Sequence, residues 1–276
     1  MTTAATNTKM SFDEEVARMN AVYAEKVGEK MTYNLLLYGP AGSGKTHLCT
    51  TGRGPFLFHM FDPGGAKIPP IQKGFREGEI MVEEFTRNIM DIPDPKRAGR
   101  KLLGYEHWVQ QFESKVASGF FNNIGTFVMD SATTWIQRMM YAITTNRKRE
   151  DHLPAIQDYL LATTLVLDFL TIATDLPCDF ILTSHITIDK DEVSGRIHTT
   201  LNVFKGLKVS MPILFDDMYV TQAISKAEGV EYKVLTRPKG DFDAKSRLGA
   251  GVLNIYEEAD LTAIIKKVEA AQGLIT

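Results

Sequence analysis

The stretch GPAGSGKT, Gly39 to Thr46, has the residue types and spacing of a loop that grips phosphate. It matches G-x-x-x-x-G-K-[ST], with the apolar run NLLLYG before it and HLCTT able to continue as a helix after it. Glycines let backbone N–H groups turn inward around phosphate oxygens, and a helix starting there adds its dipole. Gly39, Pro40, Ala41, Gly42, Ser43, Gly44, Lys45 and Thr46 therefore form a candidate nucleotide-binding loop. In it Lys45 reaches the terminal phosphates and the Thr46 hydroxyl serves Mg²⁺. The plain alternative is a glycine-rich turn between strand and helix, and the flanking patterns weigh against it.

Such a loop needs a carboxylate at the end of another buried strand to hold the water shell of Mg²⁺. IGTFVMDSATTW supplies Asp130, followed by Ser131, where a strand hands over to a helix; the same pair would also cap that helix. FILTSHI ends a third apolar run in Ser184 and His185. Ligands bind at the C-terminal edge of open α/β sheets, so His185 is read as a sensor of the γ-phosphate, with a satisfied structural histidine as the alternative.

The elements that must position these groups alternate. NLLLYG, PFLFHMF, GTFVMDS and CDFILTSH are uniformly apolar, as expected for strands covered by helices on both faces. Between them lie the helical patterns YEHWVQQFESKVASGF and LPAIQDYLLATTLVLDFLTIATDL. The order predicts an α/β fold, a doubly wound and mostly parallel sheet with helices on both faces. A tail and one amphipathic helix are predicted for 1–30, the core for 31–254 and a C-terminal helix for 255–276. The Pro-, Gly- and charge-rich segment 64–100 reads as an insertion with one strand at EIMVEEF. After His185 the texture becomes that of antiparallel hairpins, with a tight turn at AEGV.

With 276 residues and 44% hydrophobic content, the chain can bury a large core. A net charge of −3 announces no general nucleic-acid or membrane surface, so any DNA contact must be local. Cys49 and Cys178 lack metal-ligand spacing and suit a reducing cytoplasm. No stretch is expected to approach the length of a membrane span, and the N-terminus has no export-signal pattern, so a cytoplasmic location is expected.

GPAGSGKT, FVMDSATTW, ILTSHI, FKGLKVSMPILFDDMYV and AKSRLG, in this order from about Tyr33 to about Gly249, together resemble the RecA-like ATPase core. The resemblance is greatest to the phage-encoded RecA-like P-loop ATPases of single-strand annealing and recombination. It implies ATP and Mg²⁺ as cofactors, assembly into rings or filaments, and single-stranded DNA as partner, with a single-strand binding protein as a further one. In an extended segment Lys245 and Arg247 point to one face. The resemblance implies that such a Lys-x-Arg reaches the γ-phosphate held by a neighbouring subunit; without it, the segment reads as a solvated surface turn.

One departure bears on turnover. Similar proteins carry a glutamate just after the second core strand to position the attacking water, whereas MFDPGG has Pro63 there and Asp62 beside it. Asp62 then either orients water or caps the turn, in which case Glu83 or Glu84 is the alternative acid. For DNA, the hairpin region carries Lys190, Arg196, Lys205 and Lys208 with Phe204 as a stacking ring, the pattern single-strand binding needs. Asp189, Asp191 and Glu192 in the same run fit a solvated hairpin equally well. The expected function is an Mg²⁺-dependent ATPase that oligomerises on single-stranded DNA and supports phage-type annealing or recombination. The alternatives are a replicative motor or loader, and an ATP-gated binding module that scarcely hydrolyses.

Overall fold

The structure is a computed structural model that describes residues 11–28, 31–94, 97–148, 153–190, 195, 197–249 and 251–273. Two compact units divide the chain at 32/33. The first holds helix α1, Phe12–Gly28. Its start is fixed by a reciprocal box: Ser11 N–H donates to Glu14 Oε2 at 2.8 Å, and Glu14 N–H donates to Ser11 Oγ at 3.3 Å.

The second unit is built on an eight-stranded sheet. In chain order its strands are β1 (Asn34–Tyr38), β2 (Phe56–Met60), β3 (Ile80–Glu84), β6 (Thr126–Asp130), β7 (Asp179–Ser184), β10 (Asp217–Lys226), β11 (Gly229–Leu235) and β12 (Tyr256–Glu258). Across the sheet the order is β12-β11-β10-β1-β7-β6-β2-β3. Every pairing from β10 to β3 is parallel, and β11 and β12 add an antiparallel extension. Two further hairpins stand apart, β4 (Ile89–Asp94) with β5 (Arg97–Leu103) and β8 (Ile186–Lys190) with β9 (Ile197–Leu201).

β1, β2, β6 and β7 are buried along their whole length. Alternate side chains feed opposite layers, so each strand must be apolar on both faces. Leu36, Tyr38 and Phe127 join Trp108 and Trp135 under α4 (Gly104–Ala117), α5 (Ala132–Asn146), α6 (Ile156–Thr174) and α7 (Lys205–Leu214). Leu35, Leu37 and Phe58 join Leu48, Ile71 and Ile264 from α2 (Lys45–Cys49), α3 (Pro69–Glu77) and α8 (Leu261–Ala271). The result is the expected three-layer α/β arrangement with its antiparallel C-terminal strands.

Within 64–100, β3 pairs with β2 in parallel register, Phe56 opposite Ile80, and thus forms the sheet edge. The β4–β5 hairpin is what leaves the strand–helix alternation there. The C-terminal region begins with β12 before α8. One expectation is corrected: α6, with 19 residues and mean hydropathy 1.4, is long and apolar enough to cross a membrane. Here it packs against α5, α7 and β7, burying Ala162, Val166, Phe169, Leu170 and Ala173.

Candidate nucleotide site

The phosphate loop leaves the C-terminal end of β1. Gly42 and Gly44 have φ of 75° and 88°, a region that side-chain-bearing residues rarely enter. Gly39 is required for a different reason: a Cβ there would lie 2.4 Å from Thr221 Oγ1 and 2.6 Å from the Thr221 carbonyl. Thr221, on β10, also meets Ser43 Oγ through its hydroxyl at 2.6 Å, so β10 braces the loop from one side.

The Lys45 ammonium donates to the carbonyls of Gly39 and Pro40, both at 2.9 Å. It therefore lies across the mouth of the loop, where the charge of a phosphate would fall. Burial pulls its pKa down, opposed by the nearby carboxylates of Asp130 and Asp62. Thr46 Oγ1 donates to Asp130 Oδ2 at 2.7 Å, and Thr183 Oγ1 donates to the other oxygen. Asp130 is 2% exposed, and its burial raises its pKa; the two hydroxyls act downward and the charge of Asp62 adds to the rise. A buried carboxylate in this condition is stabilised by a cation. An oxygen-only set of one carboxylate and one hydroxyl suits Mg²⁺, which completes its shell with water and phosphate. The described residues hold no cluster of three or more His, Cys, Asp or Glu, so among them there is no ready-made metal cage.

Asp62 follows β2 and faces the same cleft. Its Oδ2 lies 2.8 Å from His185 Nε2, while its Oδ1 accepts from Ser131 Oγ at 3.1 Å and from Thr134 Oγ1. Burial alone would raise the Asp62 pKa, but the bonds from His185 and Thr134 outweigh it and hold the carboxyl below its ordinary value. Lys45, Thr46, Asp62, Asp130, Thr134 and His185 all line one cleft of about 670 Å³, together with Pro63, Ile68 and Pro69. The glycine-rich loop with Lys45, the buried carboxylate bonded to Thr46 and a second, ionised carboxylate thus converge on one cleft. The Asp130–Ser131 peptide bond at this point is cis.

Glu83 and Glu84 do not line this cleft. Glu83 instead receives Lys115 Nζ at 2.7 and 2.9 Å and lies 2.9 Å from His59 Nε2. It is a structural acid, which removes it as the alternative to Asp62. His185 is not isolated either, since its carbonyl accepts from Asn202 N–H at 2.9 Å and the strand β8 begins at the next residue. Sequence reasoning missed Thr134, Thr183 and Thr221; the hydroxyl-rich run DSATT was the available signal for the first.

Lys245 and Arg247 lie elsewhere. Lys245 exchanges two backbone bonds of 2.8 Å with Met218, and Asp217 pairs with Leu35, at the start of β10 and β1. That is the edge of the sheet opposite the phosphate loop, which follows Tyr38 at the far end. Both side chains reach the end of α7: Lys245 Nζ donates to the carbonyls of Pro212 (2.6 Å) and Phe215 (2.7 Å), and Arg247 to Asp216 Oδ1 (3.0 Å) and the Ile213 carbonyl (3.1 Å). The Arg247 side chain keeps 55% of its surface exposed.

Of the DNA candidates, Lys190 and Lys205 are exposed. Lys208 is ion-paired with Asp189, and the ring of Phe204 packs edge-on against Tyr159 with centroids 4.9 Å apart. Arg196, like Asp191 and Glu192, lies outside the described residues.

Among solved structures, a KaiC-like protein from the hyperthermophilic archaeon Pyrococcus horikoshii OT3 is similar, at 15% identity and a TM-score of 0.39, covering 81% of this chain and 86% of that one. No curated protein matches the chain. The profile of the AAA domain matches residues 31–248, a span that runs from just before β1 through Arg247 and contains every element of the cleft. The chain therefore belongs to the AAA-domain family of P-loop ATPases.

Proposed function

We propose that this protein is an Mg²⁺-dependent ATPase whose active sites are completed between copies of the chain, and that it works on single-stranded DNA in annealing or recombination. The observation that carries the reading is a division of labour across the sheet. One edge holds Lys45, Thr46, Asp130 and Asp62 around a cleft. The other presents a half-exposed Arg247 with Lys245, roughly 13 Å of strand away at about 3.3 Å per residue. Neither cation reaches its own cleft, so their chemistry at phosphate requires a second copy.

Within one copy, the loop and Lys45 bind the triphosphate, and Mg²⁺ held by Thr46 and Asp130 would neutralise its charge. Asp62 stays ionised, and it takes the proton of the attacking water or orients that water. The bond to His185 ties this carboxylate to the base of the β8–β9 hairpin, which carries the exposed Lys190. Lys245 and Arg247 of the next copy stabilise the charge that develops on the transferred phosphoryl group.

The test is phosphate release from ATP and Mg²⁺, followed against protein concentration with and without a single-stranded oligonucleotide. Specific activity that rises with concentration, and rises further with the oligonucleotide, supports the reading. Release that is constant per chain and indifferent to DNA sinks the composite site. Absence of release under every condition leaves an ATP-gated binding module.

A further inference from the structure

The residues that hold Arg247 in place are themselves unusual. Asp217, the first residue of β10, is 1% exposed, and burying a carboxylate costs several kcal/mol unless it is well bonded. Its Oδ1 accepts the backbone N–H of Arg247 at 2.8 Å. Its Oδ2 accepts the hydroxyls of Tyr33 and Tyr219, whose oxygens are 2.8 Å from each other. Burial first, and the adjacent carboxylate with it, push both tyrosine pKa values up, so both stay protonated donors. Lys245 is stitched to Met218 by its two backbone bonds. Lys245 and Arg247 are thus both anchored to β10 through their backbone, one at Met218 and the other at Asp217.

We propose that Asp217, braced by Tyr33 and Tyr219, is the positioning residue that sets where Arg247 and Lys245 emerge toward a neighbouring copy. This rests on the reading that these cations act across a subunit boundary. An arginine at the surface has many rotamers, and its usefulness at a transition state depends on where its backbone starts. The neighbouring Asp216 acts differently, because it pairs with the Arg247 side chain and not with the backbone. The two carboxylates therefore divide the side chain's partner from the backbone's anchor. If Asp217 only contributed to folding, its loss would lower the melting temperature without a selective effect on turnover.

The experiment compares Asp217→Asn, the double variant Tyr33→Phe with Tyr219→Phe, and Arg247→Ala, each alone and mixed with Lys45→Ala chains. Lys45→Ala chains lack a working phosphate grip but keep an intact Lys245–Arg247 segment to offer a neighbour. The expected result for Asp217→Asn is a kcat about tenfold to a hundredfold lower with KM for ATP unchanged. Activity should return when Lys45→Ala chains are added. The double tyrosine variant keeps the carboxylate and should show a smaller loss of the same kind, which covers the case in which Asp217→Asn folds poorly. Should Arg247→Ala be rescued by mixing while both anchor variants are not, or keep full kcat, the anchor role is overturned and the composite site stands. Should Arg247→Ala itself not be rescued, the composite site falls and the anchor role with it.

Discussion

Asp62 Oδ2 and His185 Nε2 are 2.8 Å apart, although 123 residues separate them in the chain. The pair joins the ends of β2 and β7 across the cleft and leaves Asp62 ionised in a site that already contains the buried Asp130. Replacing Asp62 by Asn keeps the shape and the bonds from Ser131 and Thr134 while removing the charge. The expected outcome is hydrolysis slower by about two orders of magnitude, the scale of a lost general base, with ATP affinity changed little. Parallel measurement of phosphate release and equilibrium nucleotide binding checks it; equal loss in both would place Asp62 in binding instead.

Asp130 accepts one hydroxyl on each oxygen, from Thr46 and from Thr183. Asp130→Asn keeps an acceptor for a hydroxyl but lowers the negative charge available to a hydrated Mg²⁺. The Mg²⁺ concentration for half-maximal hydrolysis should rise by about tenfold, or about 1.4 kcal/mol in metal binding. A titration of Mg²⁺ at saturating ATP reads this directly. An unchanged titration midpoint would leave Asp130 only as a buried acceptor for the hydroxyls of Thr46 and Thr183.

The strands were legible because burial on both faces forces them to be apolar along their length, as in NLLLY and FILTS. The phosphate loop was legible because its glycine positions are set by local backbone geometry. The Asp62–His185 bond was not, since it depends on how β2 and β7 are ordered in the sheet. Glu83 looked equivalent to Asp62 as an acid near a strand end, and its capture by Lys115 and the contact with His59 are what distinguish it. The helical pattern of α6 was legible, but that it is long and apolar enough for a membrane span was not, because the apolar residues it buries and those it exposes, such as Ile156 and Leu160, read alike in composition.

Arg247 is half exposed and its side chain is bonded at the end of α7, so its removal should cost the fold little. Surface changes of this kind usually stay within about 0.5 kcal/mol. Its effect on turnover should be much larger, about a thousandfold in kcat if it stabilises a transferring phosphoryl group. Thermal melting and steady-state hydrolysis of Arg247→Ala separate the two. Loss of stability matching the loss of activity would return Arg247 to the role of an ordinary helix-end cation.

His59 is fully buried in β2 between the rings of Phe85 and Phe127, with centroids 5.3 and 4.8 Å away. Trp108 Nε1–H donates to Nδ1 at 3.0 Å, which places the neutral imidazole's proton on Nε2, facing Glu83. Burial lowers the His59 pKa from its ordinary 6.5, an effect the adjacent Glu83 carboxylate opposes only in part. The unfolded chain therefore takes up a proton near pH 6.5 that the native state resists. This contribution to stability is complete above that pH and is lost progressively as pH falls below it. Burial would raise the Glu83 pKa, but His59 and Lys115 hold it at about 2, against 4.5 in the unfolded chain, so its contribution fades only below pH 4.5. The two windows can be separated. Between about pH 7.5 and about pH 5.5 the urea midpoint of the native protein should fall, and that of His59→Phe should fall less, although His107, also lowered by burial, keeps some slope. The variant also leaves Trp108 Nε1–H without an acceptor, at a cost of about 1–3 kcal/mol at every pH. The comparison is therefore between slopes, and equal slopes in the two proteins would show that His59 is not the group that titrates.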